Sequence, residues 1–445
     1  MRSHRTLTDG NVSKSLIIFT LPMIVGDLLQ QFYNITDTLI VGQALGKNAL
    51  AAVGAAYALM IFLTSIFLGL SMGAGALFSI YYGKQDFESL KSAVVQAFVL
   101  IMGITLILNI TVYLCIDPIL MFLSIPDEIY SSMRLYLNII FAGIVATSLY
   151  NYLACLLRAV GNSVAPLWFL GIGAILNVAL DVLLVIVFNF GIAGAAVATI
   201  IAQYVCGIGI LVYFLREERA LIPDKENIHI DPKLMKEISD LSFLTCVQQS
   251  CMNFGILLVQ RLVNSFGTVT IAAFSAAVKI DTFAYLPVQD FGNAFSTYIA
   301  QNYGAGNIDR LKNGIRSALL ITSVFSIVIS ILVVFNAEFL MKLFINARET
   351  DVIASGIRYL RIEGAFYIGI GCLFLLYGFY RAVKRPGVSL VLTVISLGLR
   401  VVLAYTIAPI FGEAGIWVSI PIGWLMADAA GLIYYRRYRS DLLIF

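Results

Sequence analysis

The sequence predicts an all-α integral membrane protein, with twelve transmembrane helices in two pseudo-symmetric six-helix lobes. Three observations predict this fold: the overall apolarity, the length of the apolar runs and an internal repeat. Of the 445 residues, 60% are hydrophobic and 12% are charged, and the mean hydropathy is +0.91. Soluble domains carry about 25% charged residues. So much apolar surface is stable only where it faces lipid.

Twelve apolar runs are each long enough to cross a bilayer, which takes about 20 residues. Backbone groups in lipid must be hydrogen-bonded within their own segment, so these runs are predicted to be helices. The first run is too long for a cleaved signal segment, and we interpret it as a span that stays. The predicted spans are residues 15–39, 49–79, 92–115, 130–152, 164–187, 191–215, 238–264, 269–299, 314–335, 352–378, 387–409 and 413–435.

A long polar stretch between the sixth and seventh spans divides the chain. We therefore predict an N-lobe at residues 1–215, a cytoplasmic linker at 216–236 and a C-lobe at 237–445. With both termini in the cytoplasm, most Lys and Arg residues fall on the cytoplasmic side, and the opposite loops carry only Lys47, Lys342 and Arg348. This asymmetry is typical of inner-membrane proteins and predicts a multi-pass protein of the plasma membrane, in a bacterium the inner membrane.

An internal repeat relates the two halves. The run LGKNALAAVGAA from Leu45 resembles FGTVTIAAFSAA from Phe266, at an offset of 221 residues. The triplet that begins at Arg158 recurs at Arg381, at an offset of 223. Six spans per copy is an even number, so both copies enter the membrane from the same side. This predicts a parallel repeat about an axis along the membrane normal, the architecture of secondary transporters with a site near the midplane.

The cysteines and histidines exclude several kinds of site. No two of the six cysteines form a C-x-x-C pair, and we interpret them as small packing residues. His4 and His229 lie outside the predicted spans, which excludes a histidine metal site or a Ser-His-Asp triad within the membrane. A membrane-embedded enzyme is therefore a weak alternative, and we expect no enzyme activity.

Polar residues inside the spans are the candidates for function, because an ionised Asp at the bilayer centre costs at least about 2.5 kcal/mol. The first span places six of them on about one third of its circumference. Packing between helices would explain amides and hydroxyls, but two carboxylates favour the lining of a water-filled cavity. The six residues are Asp27, Gln30, Gln31, Asn34, Asp37 and Thr38.

Three spans of the N-lobe supply a set of oxygen ligands. Asn177 and Asp181 are four residues apart on the fifth span, and Thr199 and Gln203 are four apart on the sixth. With Asp37 they offer two carboxylates, amides and a hydroxyl, which suit a hard cation such as Na⁺. The same carboxyl pair could hold a proton, because burial and a like-charged neighbour both favour the neutral form. The sequence leaves H⁺ and Na⁺ open.

The C-lobe keeps the scaffold of the repeat without these acids. The counterparts of the two acids on the first span and of the pair on the fifth are Gln248, Leu258, Arg400 and Ala404. We therefore predict that ion coupling belongs to the N-lobe. Other polar residues inside C-lobe spans either satisfy one another's charge or contact substrate, and these are Lys279, Asp281, Tyr285, Glu363 and Arg400.

Three motifs resemble the multidrug and toxic compound extrusion (MATE) family, and within it the branch named after DinF. They are the run LPMIVGDLLQQFYNITDTLIVGQALGKNALAAVG, the Asn177-x-x-x-Asp181 pair and the QNYGAGN of Gln301 to Asn307. The resemblance extends over about residues 7 to 437 and implies export of organic cations in exchange for H⁺ or Na⁺. The C-lobe acids of the other branch are poorly matched, since the seventh span carries Arg261 and no Glu.

By motif match, the resemblance also implies roles for individual residues. It implies that the first span bends at Pro22, and that the cavity includes Tyr136 and Asn151. It implies an ion-coupling site, with Na⁺ as one candidate ion, at Asp37, Asn177, Asp181 and Thr199. A proline inside a span, such as Pro22 or Pro166, is also expected to kink its helix.

These observations predict a cation-coupled antiporter that works by alternating access. We expect H⁺ or Na⁺ at the acid pair to displace a cationic small molecule from an acidic, aromatic cavity. The predicted cavity residues are Asp27, Gln30, Gln31, Asn34, Tyr136, Asn151 and Gln203. We expect a monomer in contact with membrane lipid, no cofactor besides the coupling ion and no nucleic-acid partner.

The main alternative is a lipid-linked saccharide flippase. Such a protein must neutralise a pyrophosphate and would need a strongly basic cavity. The basic residues in the middle of spans are only Lys279, Arg400 and Arg261, and the acids inside the spans outnumber them.

Overall fold

The computed structural model describes residues 7–123, 125–224 and 230–442. Over these ranges the chain is helical and has no β-strand, which confirms the predicted all-α class. The sixteen α-helices are α1 (Val12–Leu45), α2 (Lys47–Lys84), α3 (Phe87–Leu114), α4 (Ile116–Phe122), α5 (Asp127–Ile140), α6 (Ile144–Ala159), α7 (Val164–Asp181), α8 (Gly191–Glu217), α9 (Pro232–Asn264), α10 (Thr268–Gly304), α11 (Ile308–Phe335), α12 (Ala337–Phe344), α13 (Thr350–Gly364), α14 (Tyr367–Ala382), α15 (Pro386–Phe411) and α16 (Glu413–Leu442).

Eleven helical segments are long and apolar enough to cross a membrane, where α5 and α6 count as one segment. A twelfth results if α13 and α14, which meet at an angle of 50°, form a single broken span. These segments correspond one to one with the twelve predicted spans. The short helices α4 and α12 connect spans and do not cross.

Two spans are interrupted at equivalent places in the repeat. A 3₁₀ turn at Phe141–Gly143 separates α5 from α6, and the turn at Ala365 and Phe366 separates α13 from α14. A third irregularity follows Asp181 directly, where α7 passes into a π-helix at Val182–Val187. Wide turns of this kind are often found at functional sites. Here the π-helix directly follows the helix that carries Asn177 and Asp181.

The two prolines expected to kink their helices lie in different contexts. Pro22 is inside α1, which continues as one helix through it. Pro166 is the third residue of α7, in the first turn, where a helix has no earlier carbonyl to lose as a hydrogen-bond acceptor. Pro166 therefore begins its helix rather than kinking it.

Two compact units account for the packing of the chain. The N-terminal unit contains Leu21–Tyr82 and Asp86–Cys246, and the C-terminal unit contains residues 7–20, Gly83–Gln85 and the chain from Val247 onward. The first helix of each half is thus divided. Helix α1 begins in the C-terminal unit and continues in the N-terminal unit, whereas α9 begins in the N-terminal unit and continues in the C-terminal one.

Glycines allow α2 and α9 to pack closely within the N-terminal unit. A Cβ atom at Gly69 would lie 2.5 Å from the Cα of Cys246, and one at Gly73 would lie 2.5 Å from the carbonyl oxygen of Leu241. Neither position has room for a larger residue, so the backbones are in direct contact. This is the small-residue packing that membrane helices use when no hydrophobic effect drives them together.

Candidate functional site

Two carboxyl groups meet inside the N-terminal unit. Asp37, in the last third of α1, and Asp181, the last residue of α7, lie close enough to influence each other's charge. Asp181 is completely buried and Asp37 is half-buried. The structure therefore brings together the two acids named from the sequence. Neighbouring carboxyl groups in a buried site favour a bound proton or cation.

An amide and a hydroxyl complete the site. Asn177, one turn before Asp181 on α7, is 2% exposed, and its Nδ2 donates to Oγ1 of Thr199 on α8 at 3.4 Å. The Thr199 hydroxyl in turn donates to the Ala195 carbonyl at 3.0 Å. Oδ1 of Asn177 is buried and has no donor in the described chain.

The site is rich in acceptors and lacks donors. Among the described residues, no N–H or O–H group donates to either oxygen of Asp181, to Oδ1 of Asp37 or to Oδ1 of Asn177. Buried acceptors without donors are costly, and a bound proton or cation removes that cost. Within the same ranges no group of three or more His, Cys, Asp or Glu side chains could hold a metal ion. Two carboxyl groups and an amide suit H⁺ or a monovalent cation.

Two tyrosines border the acid pair. Tyr136 on α5 is 7% exposed and lies near both acids. Tyr33 on α1 lies near Asp37, and the Gln30 side chain hydrogen-bonds to its hydroxyl. The family resemblance implied Tyr136, whereas Tyr33 was not among the predicted residues. Tyr33 lies four residues before Asp37, and that spacing was the signal that could have identified it.

The polar face of α1 is turned toward the protein. Asp27, Gln30, Gln31 and Asn34 are all half-buried, whereas apolar residues elsewhere on the helix are exposed, among them Phe32, Ile35 and Leu39. Thr38 is the exception, since it is exposed. The structure thus agrees with an inward polar face over three turns.

The remaining cavity candidates lie in three separate settings. Asp27 and Arg158 both lie near Tyr150. Asn151 donates to the Thr147 carbonyl of its own helix at 2.9 Å. Gln203 places its Oε1 against Gly143, in the broken turn between α5 and α6. None of these three contacts involves Asp37 or Asp181.

The C-terminal unit contains an acid pair of its own. Asp281 on α10 and Glu363 on α13 lie next to each other, with the Arg400 guanidinium of α15 close to both. Tyr367 lies beside Asp281, and Tyr359 beside Glu363. All five side chains are at most 9% exposed. The positions equivalent to the N-lobe acids carry no acid, but the C-lobe candidates Asp281, Glu363 and Arg400 come together elsewhere in this half.

The repeat does not predict this pair. Asp281 and Glu363 lie on helices that are far apart in the sequence, and only the fold brings them together. Of the other C-lobe candidates, Tyr285 lies near Asp281 and its ring is 6.4 Å from that of Phe374. Lys279 is exposed and does not join the cluster, since two residues along a helix turn it away from Asp281.

Comparison with known protein families agrees with the architecture of this chain and with its internal repeat. The family model described as MatE matches the chain twice, over residues 22–183 and 245–406. The chain belongs to the MatE family. The two matches are 223 residues apart, which agrees with the repeat found in the sequence. The predictions of the family, of the two-lobe membrane fold and of a transporter rather than an enzyme are thereby confirmed.

Relatives of this MatE protein extend over its full length. It is 31% identical over 435 residues to the probable multidrug resistance protein YpnP of Bacillus subtilis, covering 96% of each chain. It is 26% identical to the probable multidrug resistance protein YoeA of the same organism, covering 96% of this chain and 94% of that protein. A MOP superfamily transporter from Pyrococcus furiosus has the same fold, with a TM-score of 0.93 over the whole of both chains at 22% identity. The DinF-like branch stays a prediction.

Proposed function

We propose that this MatE protein is a secondary active antiporter, which exports organic cations and drugs in exchange for H⁺ or Na⁺ by alternating access. The observation that carries the proposal is the pair of Asp37 and Asp181, in which both oxygens of Asp181 and Oδ1 of Asp37 are buried with no donor among the described residues. The names of the relatives, which are multidrug resistance proteins, support drugs as the substrate class. We place the protein in the plasma membrane, as a monomer with both termini in the cytoplasm.

The ion and the substrate are exchanged because one acidic site attracts both. A cation, whether H⁺, Na⁺ or an organic molecule, stabilises the facing carboxyl groups when it binds. Uptake of the coupling ion at Asp37 and Asp181 lowers the negative charge available to the organic cation, which then dissociates. Each ligand must bind the two states of the transporter with different affinity, since a ligand that binds both equally drives nothing.

The residues around the pair have distinct proposed roles. Asn177 and Thr199 orient the pair and supply oxygen for Na⁺, and the rings of Tyr136 and Tyr33 accept the organic cation. The half-buried face of α1, with Asn151 and Gln203, lines the path of the substrate. Exchange for more than one ion would also draw on the membrane potential, at about 2.3 kcal/mol per charge per 100 mV.

The test measures ion-driven transport in proteoliposomes. Tetraphenylphosphonium is a suitable probe because its charge is permanent, so a pH gradient cannot trap it by protonation. With the membrane potential clamped by potassium and valinomycin, H⁺ and Na⁺ gradients are imposed separately on the wild type, Asp37→Asn and Asp181→Asn. Asp117→Asn, an exposed carboxylate on α4, is the matched control.

We expect one gradient to drive transport in the wild type and the control, and the gradient that works identifies the ion. Both site variants should lose at least about tenfold of the gradient-driven flux. Normal coupled transport by Asp37→Asn would contradict the proposed site. A wild type that moves no organic cation under either gradient would favour the flippase.

A further inference from the structure

One arginine of the C-terminal unit makes several hydrogen bonds to the chain before α1. Arg310, on the first turn of α11, donates to three backbone carbonyls. Its Nη1 reaches the Gly10 oxygen at 2.8 Å, and its Nη2 reaches those of Leu7 and Asp9, both at 3.1 Å. A guanidinium presents five N–H donors in a fixed fork and suits such a set of acceptors.

The QNYGAGN motif completes this contact. Oε1 of Gln301 accepts from the Leu7 amide at 3.0 Å, and Nδ2 of Asn302 donates to the Leu7 carbonyl at 3.2 Å. Oδ1 of Asn302 accepts from Nε of Arg310 at 3.1 Å and so holds the guanidinium in place. Leu7 itself is 2% exposed. We name Gln301, Asn302 and Arg310 the amino-terminal anchor.

The contact continues along the start of α1. Leu16, Phe19 and Thr20 are buried, and Oγ of Ser13 is 3.2 Å from Oγ of Ser317 on α11. Residues 7–20 belong to the C-terminal unit, and the same helix continues in the N-terminal unit from Leu21 onward. The acids Asp27 and Asp37 therefore lie on a helix whose first turns are bound elsewhere.

The helix is weakest at the point where it passes from one unit to the other. Pro22 has no N–H, so α1 lacks one backbone hydrogen bond there. Two residues earlier, the Thr20 hydroxyl donates to the Leu16 carbonyl at 2.7 Å, an arrangement that often bends helices. Both weak points lie at or just beyond the end of the anchored residues.

The repeat shows that the anchor is an addition to one half. At an offset of 221, Asn307 corresponds to Asp86, and both cap the helix that follows them by accepting from a backbone amide, that of Arg310 at 3.3 Å and that of Ser89 at 3.1 Å. The cap is shared, but the counterpart of Arg310 is Ser89, which has no guanidinium. The scaffold does not require the arginine, so its presence needs another reason.

We propose that Gln301, Asn302 and Arg310 are positioning residues that keep residues 7–20 attached to the C-terminal unit throughout the transport cycle. Bending of α1 then takes place beyond Thr20 and moves only the segment that carries Asp27 and Asp37. This inference rests on the proposed antiport function, because it specifies which part of α1 is fixed while the ion-coupling part moves.

A reversible cross-link tests the proposal in the full-length protein. The short distance between the Ser13 and Ser317 hydroxyls makes the double variant Ser13→Cys/Ser317→Cys suitable for a disulfide. The bond is verified by mass spectrometry of peptides, because the six native cysteines are free thiols. Tetraphenylphosphonium transport is measured in the oxidised protein and again after reduction.

We expect the oxidised protein to transport at the rate of the reduced one. Loss of transport on oxidation, with recovery on reduction, would show that the segment must detach, and would overturn the proposal. Inactivity in both forms would indicate a folding defect of the variant, and the decision would then fall to a second measurement.

The second measurement uses Arg310→Leu, with Arg316→Leu as the control, an exposed arginine on the same helix. Hydrogen exchange at the amides of residues 7–11 should become much faster in Arg310→Leu only. Turnover should fall about tenfold with an unchanged KM, and Arg310→Lys should restore part of it. Unchanged exchange would overturn the anchor even if the wild type proved not to transport the cation, so the two proposals fail separately.

Discussion

The two acid pairs of this protein lie one in each unit, at positions that the repeat does not relate, and differ in the side chains around them. In the C-terminal unit, Asp281 and Glu363 have the Arg400 guanidinium close to both. In the N-terminal unit, Asp37 and Asp181 have an amide, Asn177, and no arginine among the described residues. Arg400 and Asn177 are equivalent positions of the repeat, 223 residues apart. The residue type at this one position of the repeat therefore sets whether a pair has a cation of the chain beside it.

This difference explains how a symmetric fold can have asymmetric chemistry. A pair with a cation close by has part of its charge balanced by the chain itself. A pair without one depends on a proton or an ion from solution, and we propose that its occupancy follows a gradient. Substitutions that exchange or remove these counter-charges should therefore affect transport in one unit and stability in the other.

The strongest effect is expected when the arginine is transferred to the N-terminal unit. Asn177→Arg would give Asp37 and Asp181 a permanent counter-charge, so the pair would no longer need an ion from solution. We expect at least about a tenfold loss of gradient-driven transport in proteoliposomes. Asn177→Gln, which lengthens the side chain but stays neutral and keeps the amide, is the control and should lose much less transport. Coupled transport by Asn177→Arg at the wild-type rate would contradict the assigned difference between the pairs.

The reverse change should act on stability first. Arg400→Asn leaves Asp281 and Glu363 buried without their cation, and removal of one partner from a buried charge cluster costs about 3–5 kcal/mol. We expect a clear decrease in the melting temperature of the purified protein. Lys279→Asn, an exposed lysine on α10, is the control and should melt like the wild type. If Arg400→Asn melts normally, the guanidinium does not neutralise the pair.

A medium effect is expected at the beginning of α16. Oε2 of Glu413 accepts from the Thr270 hydroxyl at 3.0 Å and from the Ser355 hydroxyl at 2.7 Å, and Oε1 accepts from Arg358 at 3.3 Å. The carboxylate therefore joins three helices of the C-terminal unit. Glu413→Leu should cost about 1–3 kcal/mol, because two partly buried hydroxyls lose their acceptor. Thermal unfolding of the purified variant measures this loss of stability. Glu338→Leu, which removes an exposed carboxylate on α12, is the control.

The weakest effect is expected at Asp117 on α4. The Arg134 guanidinium, bonded to both carboxylate oxygens at 2.6 and 3.1 Å, and the Tyr130 hydroxyl hold the pKa of Asp117 below its usual value. Any stability that this pair contributes is present above about pH 4, the ordinary Asp pKa. It is lost as the pH falls through the lowered value.

This site is exposed, and exposed ion pairs contribute little. The melting temperatures of wild type and Asp117→Asn should therefore be nearly equal at neutral pH and become equal in acid. A large difference at neutral pH would show that exposed pairs matter in this protein as much as buried ones.

The membrane fold and its repeat could be predicted because they depend on composition and spacing. Twelve runs of apolar residues define spans whatever they pack against, since lipid rewards apolar surface and penalises any open backbone group. The same cost makes each intramembrane acid informative, so Asp37, Asn177 and Asp181 could be named from the sequence alone. Tyr33, one turn from Asp37 on the same helix face, could have been named with them.

The members of the second acid pair could be named as candidates, but its contacts and those of the anchor could not be predicted in this way. Asp281, Glu363 and Arg400 come from three helices, and their sequence positions contain no information about which faces meet. In the sequence, Arg310 lies outside the predicted spans and has no distinguishing feature. Its role is visible only in the fold, which places the carbonyls of residues 7–10 against its guanidinium. Interactions between residues distant in sequence depend on helix rotation and packing.

The membrane class, the number of spans, the repeat and the acids of the first half all follow from the order of residues, because hydrophobicity and the cost of buried charge act residue by residue. The packing of the helices settles which charges neutralise one another and which unit holds each end of α1. Those outcomes depend on distances of a few ångströms between helices, over which a charge is either compensated by its neighbour or left to be compensated by an ion.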